Sequence, residues 1–243
     1  MIKGLYTSAS GMIPHLRKQE ASANNLANVG TVGYKKDGVF TQELSKATRR
    51  QAAKITDWEQ PMVDEVYVDF TQGTFNKTGA SLDMAIDGDG FFTLQFEDGS
   101  TVLTRSGSFT VDGDGFLAFP GGALVMGEGG PITVGSGQVD VSADGEIQVN
   151  GQAVGRIIPQ TVEDLTQLEK VGNGSFVVPD GVTTTPVENA QIRQGYVEES
   201  NVDIVREMVD MIISYRSYEA NAASVQSQDK SLDDLFNRVG GNQ

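Results

Sequence analysis

Residues 200–241, SNVDIVREMVDMIISYRSYEANAASVQSQDKSLDDLFNRVGG, are the stretch that decides the fold. Apolar side chains recur in it at steps of three and four, which is the period of a helix with one apolar face. Ser200 and Asp203 are spaced as in a capping box, and Gly240 with Gly241 provides a stop. The pattern predicts a helix of about 35 residues, near 50 Å long at ~1.5 Å per residue. Because a chain of this size cannot cover such a helix with its remaining residues, the helix is expected to need other helices as neighbours.

The amino-terminal segment carries a second helical pattern, which ends near Asn28. Apolar residues recur with the same period over residues 2–27, whereas Gly4, Gly11 and Pro14 lower the helix propensity. Pro14 is expected to kink the helix or to delay its firm start, because proline lacks the backbone N–H that a helix interior uses.

The middle of the chain changes to a period of two, which is typical of short strands. Residues 102–104 and 176–178 are examples, and Asp-Gly and Asn-Gly pairs separate such runs because these residues tolerate tight hairpin turns. A short helical turn is expected near residues 162–168. The middle is therefore predicted to be a compact all-β domain.

Together these patterns predict an α+β chain in which the terminal helices form a coiled-coil-like hairpin. Residues 1–34 and 196–243 are assigned to a discontinuous helical core domain, residues 35–70 to a connecting segment and residues 71–195 to the central β domain. The apolar stripes of the two terminal helices are far apart in sequence, but they can meet in one hairpin because the β domain between them brings the chain ends together. Several hairpins side by side would bury the remaining apolar faces.

Composition excludes several classes of protein. The net charge of −15 argues against a general nucleic-acid binder, and the absence of cysteine removes disulfides and thiolate sites. No apolar run approaches the ~18 residues of a membrane span, so membrane insertion is not expected, and the amino terminus lacks the apolar core of a cleaved secretory signal.

The charge is unevenly distributed along the chain. Residues 1–60 carry a net +4, and the rest of the chain carries −19. Basic residues concentrate between Lys35 and Lys54, at Lys35, Lys36, Lys46, Arg49, Arg50 and Lys54. This basic segment is either solvated or contacts an acidic surface, for example the β domain of a neighbouring subunit.

No catalytic, cofactor or metal site is predicted. The single histidine, His15, lies within the amino-terminal helix pattern, and no nucleophile-elbow motif accompanies it. The acidic run at residues 83–90 lacks the spacing and the closing glutamate of a calcium loop, so it is interpreted as a turn.

The terminal segments resemble known signatures. Residues 24–28, NNLAN, followed by Thr31, Gly33, Tyr34 and Lys35, resemble the amino-terminal signature of bacterial flagellar rod and hook proteins. Near the other end, residues 195–202, GYVEESNV, and the helix that follows are similar to the carboxy-terminal signature of the same family.

The central region continues this resemblance. Residues 83–92, DMAIDGDGFF, and residues 104–109, TRSGSF, resemble the family's β-domain motifs, so that the similarity covers almost the whole chain in the family's order. It implies a structural subunit of the flagellar basal-body rod that crosses the periplasm, with other rod and hook axial proteins and the flagellar export apparatus as partners. It also implies self-assembly into a tubular shaft that transmits torque, rather than enzymatic activity.

The subtype is less sharply indicated. The chain length and residues 127–134 look more like the proximal-rod member of the family. A distal-rod or hook-type subunit is the alternative, since residues 195–202 and 216–221 fit the distal member equally well.

The expected assembly interface takes residues from both terminal segments. Its members are Leu5, Leu16, Asn24, Asn25, Leu26, Ala27, Asn28, Tyr34, Val205, Met208, Met211, Ile212, Tyr215, Tyr218, Leu232 and Phe236.

Two hypotheses from other classes compete with this interpretation. A secreted β-rich binding module, such as a carbohydrate-binding adhesin, would be a stable monomer with an aromatic ligand site, but the single indole, Trp58, lies outside the β region. A glycoside hydrolase would place two carboxylates in one cleft.

Overall fold

The computed structural model describes residues 2–41, 63–172, 174–179, 181–187 and 189–240. It confirms the α+β class, with one long helix toward each end of the chain and short strands between them. Helix α1 spans Ile2–Ala27 and helix α2 spans Ile204–Gly240. Within the described residues, neither helix is both long and apolar enough to cross a membrane.

The chain divides into two compact units. The helical unit consists of Met1–Ala27, Asp37–Asp69 and Asp203–Gln243, and the β unit consists of Asn28–Lys36 and Phe70–Val202. The chain therefore passes from one unit to the other four times.

Helix α1 ends where the sequence predicts, but its start is not delayed. It begins at Ile2 and continues through Pro14 to Ala27. Proline costs the helix one backbone hydrogen bond. Contacts with α2 on both sides of Pro14, at Gly11 and at Lys18, stabilise the helical conformation there.

The amino-terminal cap of α2 differs from the predicted capping box. The Asp203 carboxylate accepts hydrogen bonds from the backbone N–H groups of Val205, at 3.0 Å, and Arg206, at 3.1 Å. Ser200 lies too early and accepts from Val202 N–H instead. Because α2 begins at Ile204, only the residue directly before it can satisfy the free N–H groups of the first turn.

A two-stranded ribbon accompanies the helices. Strand β1 (Asp37–Thr41) pairs antiparallel with β2 (Val63–Val68), and Tyr67 lies across Gly38, which has no side chain to obstruct the ring. The segment between these strands holds Trp58 and the basic residues Lys46, Arg49, Arg50 and Lys54, which lie outside the described residues.

The β unit contains short strands joined mostly by tight turns. In the described part of the chain these are β3 (Phe75–Lys77), β4 (Met84–Asp87), β5 (Phe92–Gln95), β6 (Thr101–Thr104), β7 (Thr110–Val111), β8 (Leu117–Ala118), β9 (Leu124–Gly127), β10 (Gly130–Pro131), β11 (Val139–Val141), β12 (Glu146–Val149), β13 (Gln152–Arg156), β14 (Gln160–Val162), β15 (Glu169–Gly172), β16 (Ser175–Val177), β17 (Thr184–Pro186), β18 (Gln191–Gln194) and β19 (Tyr196–Glu198). A 3₁₀ turn at Leu165–Gln167 lies where the short helical turn was predicted.

The described strands pair antiparallel throughout. The largest sheet has the order β15-β16-β6-β5-β9-β8-β7, with β10 added to β9, and β11, β12 and β13 form a second sheet. Smaller pairs join β14 to β17, β18 to β4 and β19 to β3. Strands β18 and β19 thus bring the carboxy-terminal part of the unit back onto β4 and β3 at its start.

The turns obey the chemistry that the sequence indicates. Asn150 and Gly151 have φ of +52° and +79° and connect β12 to β13 as a two-residue hairpin. Gly88 and Gly90, with φ near +107° and +106°, lie in the turn between β4 and β5, whereas Met84–Asp87, which belong to the run that was interpreted as a turn, form strand β4. At Gly107 a side chain is impossible without rearrangement, because a Cβ there would lie 1.5 Å from the Met84 carbonyl oxygen.

The hydrophobic core belongs to the β unit. It is built from side chains of β4, β5, β6, β8, β9, β11, β12 and β18, together with residues of the loops between strands. Its buried members are Met84, Ile86, Phe92, Leu94, Val102, Phe109, Leu117, Ala123, Val125, Ile132, Val134, Val139, Ile147, Ile157 and Ile192.

Candidate assembly surface

Helix α2 presents a continuous apolar face to solvent over its first three turns. Once Asp203 starts the helix, every third or fourth residue returns to the same side. Large apolar side chains are exposed there, and we call this set the α2 face: Ile204, Val205, Met208, Val209, Ile212, Ile213 and Tyr215. Val205 is 72% exposed and Ile212 is 55% exposed. Among the side chains that the structure describes beyond Tyr215, the exposed ones are small, polar or charged, so the described α2 face ends there.

The contact between α1 and α2 has the opposite character. The helices lie antiparallel, with Ser8 Oγ donating to Ser224 Oγ at 3.2 Å and Lys18 Nζ 3.4 Å from Asp210 Oδ1. Gly11 lies against the side chain of Asn221. Small and polar residues thus take part in this contact, in which Asp210 pairs with Lys18.

Few residues of the two helices are fully buried. Among their described side chains these are Ser22, Asn25 and Ser214, of which Ser214 donates a hydrogen bond to the Asp210 carbonyl at 2.8 Å. None of the three is apolar, and the other described apolar side chains of the two helices are half-buried or exposed within one chain.

A groove of about 510 Å³ lies beside the α2 face. It is lined by Gln19 of α1 and by Met211, Ile212, Tyr215, Arg216 and Glu219 of α2. An apolar floor with a charged rim suits a side chain from another helix better than a small polar ligand.

The predicted interface residues fall into three groups in the structure. Leu16, Asn24, Ala27, Val205, Met208, Ile212 and Tyr215 are exposed, whereas Leu5, Leu26, Asn28, Met211, Tyr218 and Leu232 are half-buried. Asn25 and Tyr34 are buried within the chain, and the side chain of Phe236 lies outside the described residues. The predicted interface does not include Ile204, Val209 and Ile213, which are exposed and make the α2 face wider than the predicted stripe.

The two buried members of the predicted interface have partners in their own chain. The Asn25 amide pairs with the backbone of Asp37, donating to its carbonyl at 2.8 Å and accepting from its N–H at 2.8 Å. The Lys170 ammonium lies 3.8 Å from the centre of the Tyr34 ring, a cation–π contact.

For Lys35, the prediction that the basic residues are solvated or contact a neighbouring subunit is wrong. The Lys35 ammonium is buried in the β unit and bonds to the Glu198 carboxylate at 2.6 Å. Lys35 is therefore not available to the acidic surface of a neighbouring subunit. The sequence shows only that Lys35 follows Tyr34. Whether the lysine is buried depends on a partner for its charge, and the sequence does not identify that partner.

A separate groove in the β unit bears on the alternative functions. It has a volume of about 660 Å³ and runs between the end of β13 and the end of β17. Of the described residues that line it, Asp144 is the one carboxylate, and the Arg156 guanidinium lies over it at 3.9 Å. The described lining residues therefore include one carboxylate, whereas a glycosidase uses a pair.

Three family sequence profiles match successive parts of the chain. Residues 5–35 match the family described as flagella basal body rod protein. Residues 85–149 match the flagellar hook protein FlgE/F/G D1 domain, and residues 193–238 match the flagellar basal body rod FlgEFG protein C-terminal family. The matched ranges contain most of α1, nearly all of the strands from β4 to β12 and most of α2.

Similar full-length proteins extend over nearly the entire chain. The flagellar basal-body rod protein FlgF of Caulobacter vibrioides is 33% identical, over 99% of this chain and 99% of its own. The flagellar basal-body rod protein FlgG of Buchnera aphidicola subsp. Acyrthosiphon pisum is 32% identical, over 97% of this chain and 99% of its own. The flagellar hook-basal body complex protein FlhO of Bacillus subtilis is 31% identical, over 99% of both chains. By identity, coverage and the order of the matched segments, this chain belongs to the bacterial flagellar basal-body rod protein family.

Proposed function

We propose that this protein is a structural subunit of the flagellar basal-body rod, which self-assembles through its terminal helices into a tubular shaft and transmits torque. Its place is the basal body, in the part of the rod that crosses the periplasm. Its partners are further copies of itself, other rod and hook axial proteins, and the flagellar export apparatus that delivers it.

The α2 face is the observation that carries this proposal. It sets six large aliphatic side chains and Tyr215 in solvent along about 18 Å of helix, at ~1.5 Å per residue. Contiguous apolar surface of this kind on a soluble chain is a site of protein association. The exposed members of the predicted interface, together with Ile204, Val209 and Ile213, form the surface that neighbouring helices would cover.

The polar contact between α1 and α2 determines which residues are left for contacts between chains. Because small residues join the two helices of one chain, the large apolar residues remain for helices of other chains. We infer that the pair acts as a coiled-coil-like hairpin that completes its packing only among several hairpins. A contact between different surfaces of successive copies is heterologous, and it extends as a helical tube rather than closing as a dimer.

Within the family, we propose that the chain is a proximal-rod subunit. The length and the stretch at residues 127–134 support this assignment, and an FlgF protein is among its similar relatives. Because FlgG proteins are about as similar to this chain as the FlgF protein is, the distal-rod subunit is the second candidate.

Assembly of the purified protein tests the function. We expect concentrated wild-type protein to form sedimentable rods visible by negative-stain electron microscopy. Val205→Lys, which places a charge in the α2 face, should abolish them at the same concentration, since burying an unpaired ammonium is costly. Gln226→Lys adds the same charge to an exposed position of α2 beyond the face and should assemble normally. Rods formed equally well by Val205→Lys, or a wild-type protein that stays monomeric at every concentration, would contradict the proposal.

A further inference from the structure

A buried cluster of charges lies in the β unit at the stretches of chain that lead to the helical unit. The Glu198 carboxylate is fully buried, and its Oε1 accepts from the Lys35 ammonium at 2.6 Å and from Gly73 N–H at 2.9 Å. Its Oε2 lies 3.5 Å from the Arg105 guanidinium. We call Lys35, Arg105 and Glu198 the charge clamp.

The charge clamp joins stretches that are distant in sequence. The Lys35 ammonium also donates to the Thr71 carbonyl at 2.7 Å. Asn201, just after Glu198, donates to the same carbonyl at 3.1 Å and accepts from Lys36 N–H at 2.8 Å. Residues 33–36 follow α1, residues 71–73 follow β2 and residues 198–201 precede α2, so one carboxylate and one amide tie together all three connecting stretches.

Close backbone packing supports the same junction. Gly33 N–H donates to the Glu198 carbonyl at 2.7 Å, and a Cβ at Gly33 would lie 2.3 Å from the Ser106 nitrogen. A Cβ at Gly73 would lie 2.0 Å from the Glu199 carbonyl oxygen. The connecting stretches are therefore in direct backbone contact, and two glycines permit it.

The surroundings of the charge clamp are apolar. The Arg105 guanidinium lies 5.1 Å from the centre of the Phe91 ring, and Phe70, Phe91 and Phe176 contact one another with ring centres 5.2–5.8 Å apart. Burial lowers the pKa of the Arg105 guanidinium, and the negative charge of Glu198 opposes that shift. A carboxylate held by two cations in such a site interacts strongly, and removing it takes from both cations the charge that they share.

We propose that the charge clamp is a preformed anchor, which fixes the end of the segment after α1 and the start of the segment before α2 in the single subunit, before any assembly. None of its three residues belongs to the hydrophobic core of the β unit. The anchor can therefore be lost while the core strands stay folded. This inference concerns the monomer and does not rest on the proposed function.

Hydrogen exchange on dilute full-length monomer tests the anchor. We expect Glu198→Gln to raise amide exchange in residues 33–36 and 71–74 at least about tenfold, because Lys35 and Arg105 then lose the carboxylate that both of them contact. Strands β5, β6 and β9 should exchange as in the wild type. Asp144→Asn, which breaks a solvent-exposed ion pair with Arg156 in the same unit, is the control and should change neither region.

A second substitution makes the test specific. Lys35→Met alone leaves Glu198 with Arg105, so its effect should be smaller than that of Glu198→Gln, yet clearly above the control. Adding Lys35→Met to Glu198→Gln should slow the exchange again, because it removes one of the two cations that have lost the Glu198 carboxylate. Equal acceleration in the core strands, a double variant that exchanges faster than Glu198→Gln, or no difference between Lys35→Met and the control would overturn the proposal. Should Glu198→Gln fail to fold, the amide exchange of Lys35→Met compared with that of the control still tests the anchor.

Discussion

Replacing Ile212 with alanine separates the stability of the subunit from the stability of the assembly. Ile212 is 55% exposed in the single chain. Complete burial of an isoleucine side chain stabilises by about 1.5–3 kcal/mol, so covering the exposed part in an assembly contributes roughly 0.8–1.6 kcal/mol. Alanine forfeits most of this, and the critical concentration for assembly should rise about four- to fifteenfold. In the monomer the effect is smaller, because losing the part of Ile212 that is already buried costs about 0.7–1.4 kcal/mol, and the better helix propensity of alanine offsets about 0.4 kcal/mol of it.

Two measurements on the same preparations check both effects. Sedimentation over a concentration series gives the critical concentration, and far-ultraviolet circular dichroism of dilute protein gives the helix content. Gln226→Ala, an exposed change on the same helix outside the α2 face, should raise helicity without raising the critical concentration. If Ile212→Ala assembles at the wild-type concentration, Ile212 does not face a neighbouring subunit as argued.

Three further predictions follow from the described geometry. Asp203→Ala should destabilise α2 by about 1 kcal/mol and lower the helix content of dilute protein, whereas Ser200→Ala should leave it unchanged, since Asp203 alone caps the helix. Gly107→Ala should lower the melting temperature of the β unit by several degrees because its methyl group would overlap a backbone carbonyl; Gly113→Ala, which has open space around it, serves as the control in the same thermal melts. Deleting residues 205–243 should abolish rods yet leave a cooperative β-sheet melting transition, since the core lies entirely in the β unit; a non-cooperative melt would disprove an autonomous β unit.

Local chemistry explains what could be predicted before the structure. The long helical pattern of α2 required only the spacing of its apolar residues, and its end at Gly240 required only the glycine pair. Asn150-Gly151 selected a tight hairpin because both residues take positive φ. Such features depend on neighbours in sequence, so a single sequence suffices to read them.

The errors share a different cause. The choice between Ser200 and Asp203 as the cap depended on where the helix starts, and one turn of uncertainty is usual at helix ends. The uninterrupted helix through Pro14 depended on contacts with α2. The candidate site shows the same division, because the stripe Val205, Met208 and Ile212 was readable from its period, while the width of the α2 face depended on which side of the helix α1 covers.

By itself the sequence determined the class of the protein: two terminal helices with apolar residues to spare, a β-rich middle punctuated by turns, and the motifs of a flagellar rod subunit. Only the tertiary structure decided that α1 and α2 meet through small and polar residues, and that Lys35 is buried against Glu198 rather than displayed with the basic segment. The physical reason is the separation in sequence between the residues that interact. Helix period and turn preference come from residues a few positions apart, whereas the burial of a charge is set by a partner more than 160 positions away, which local patterns do not encode.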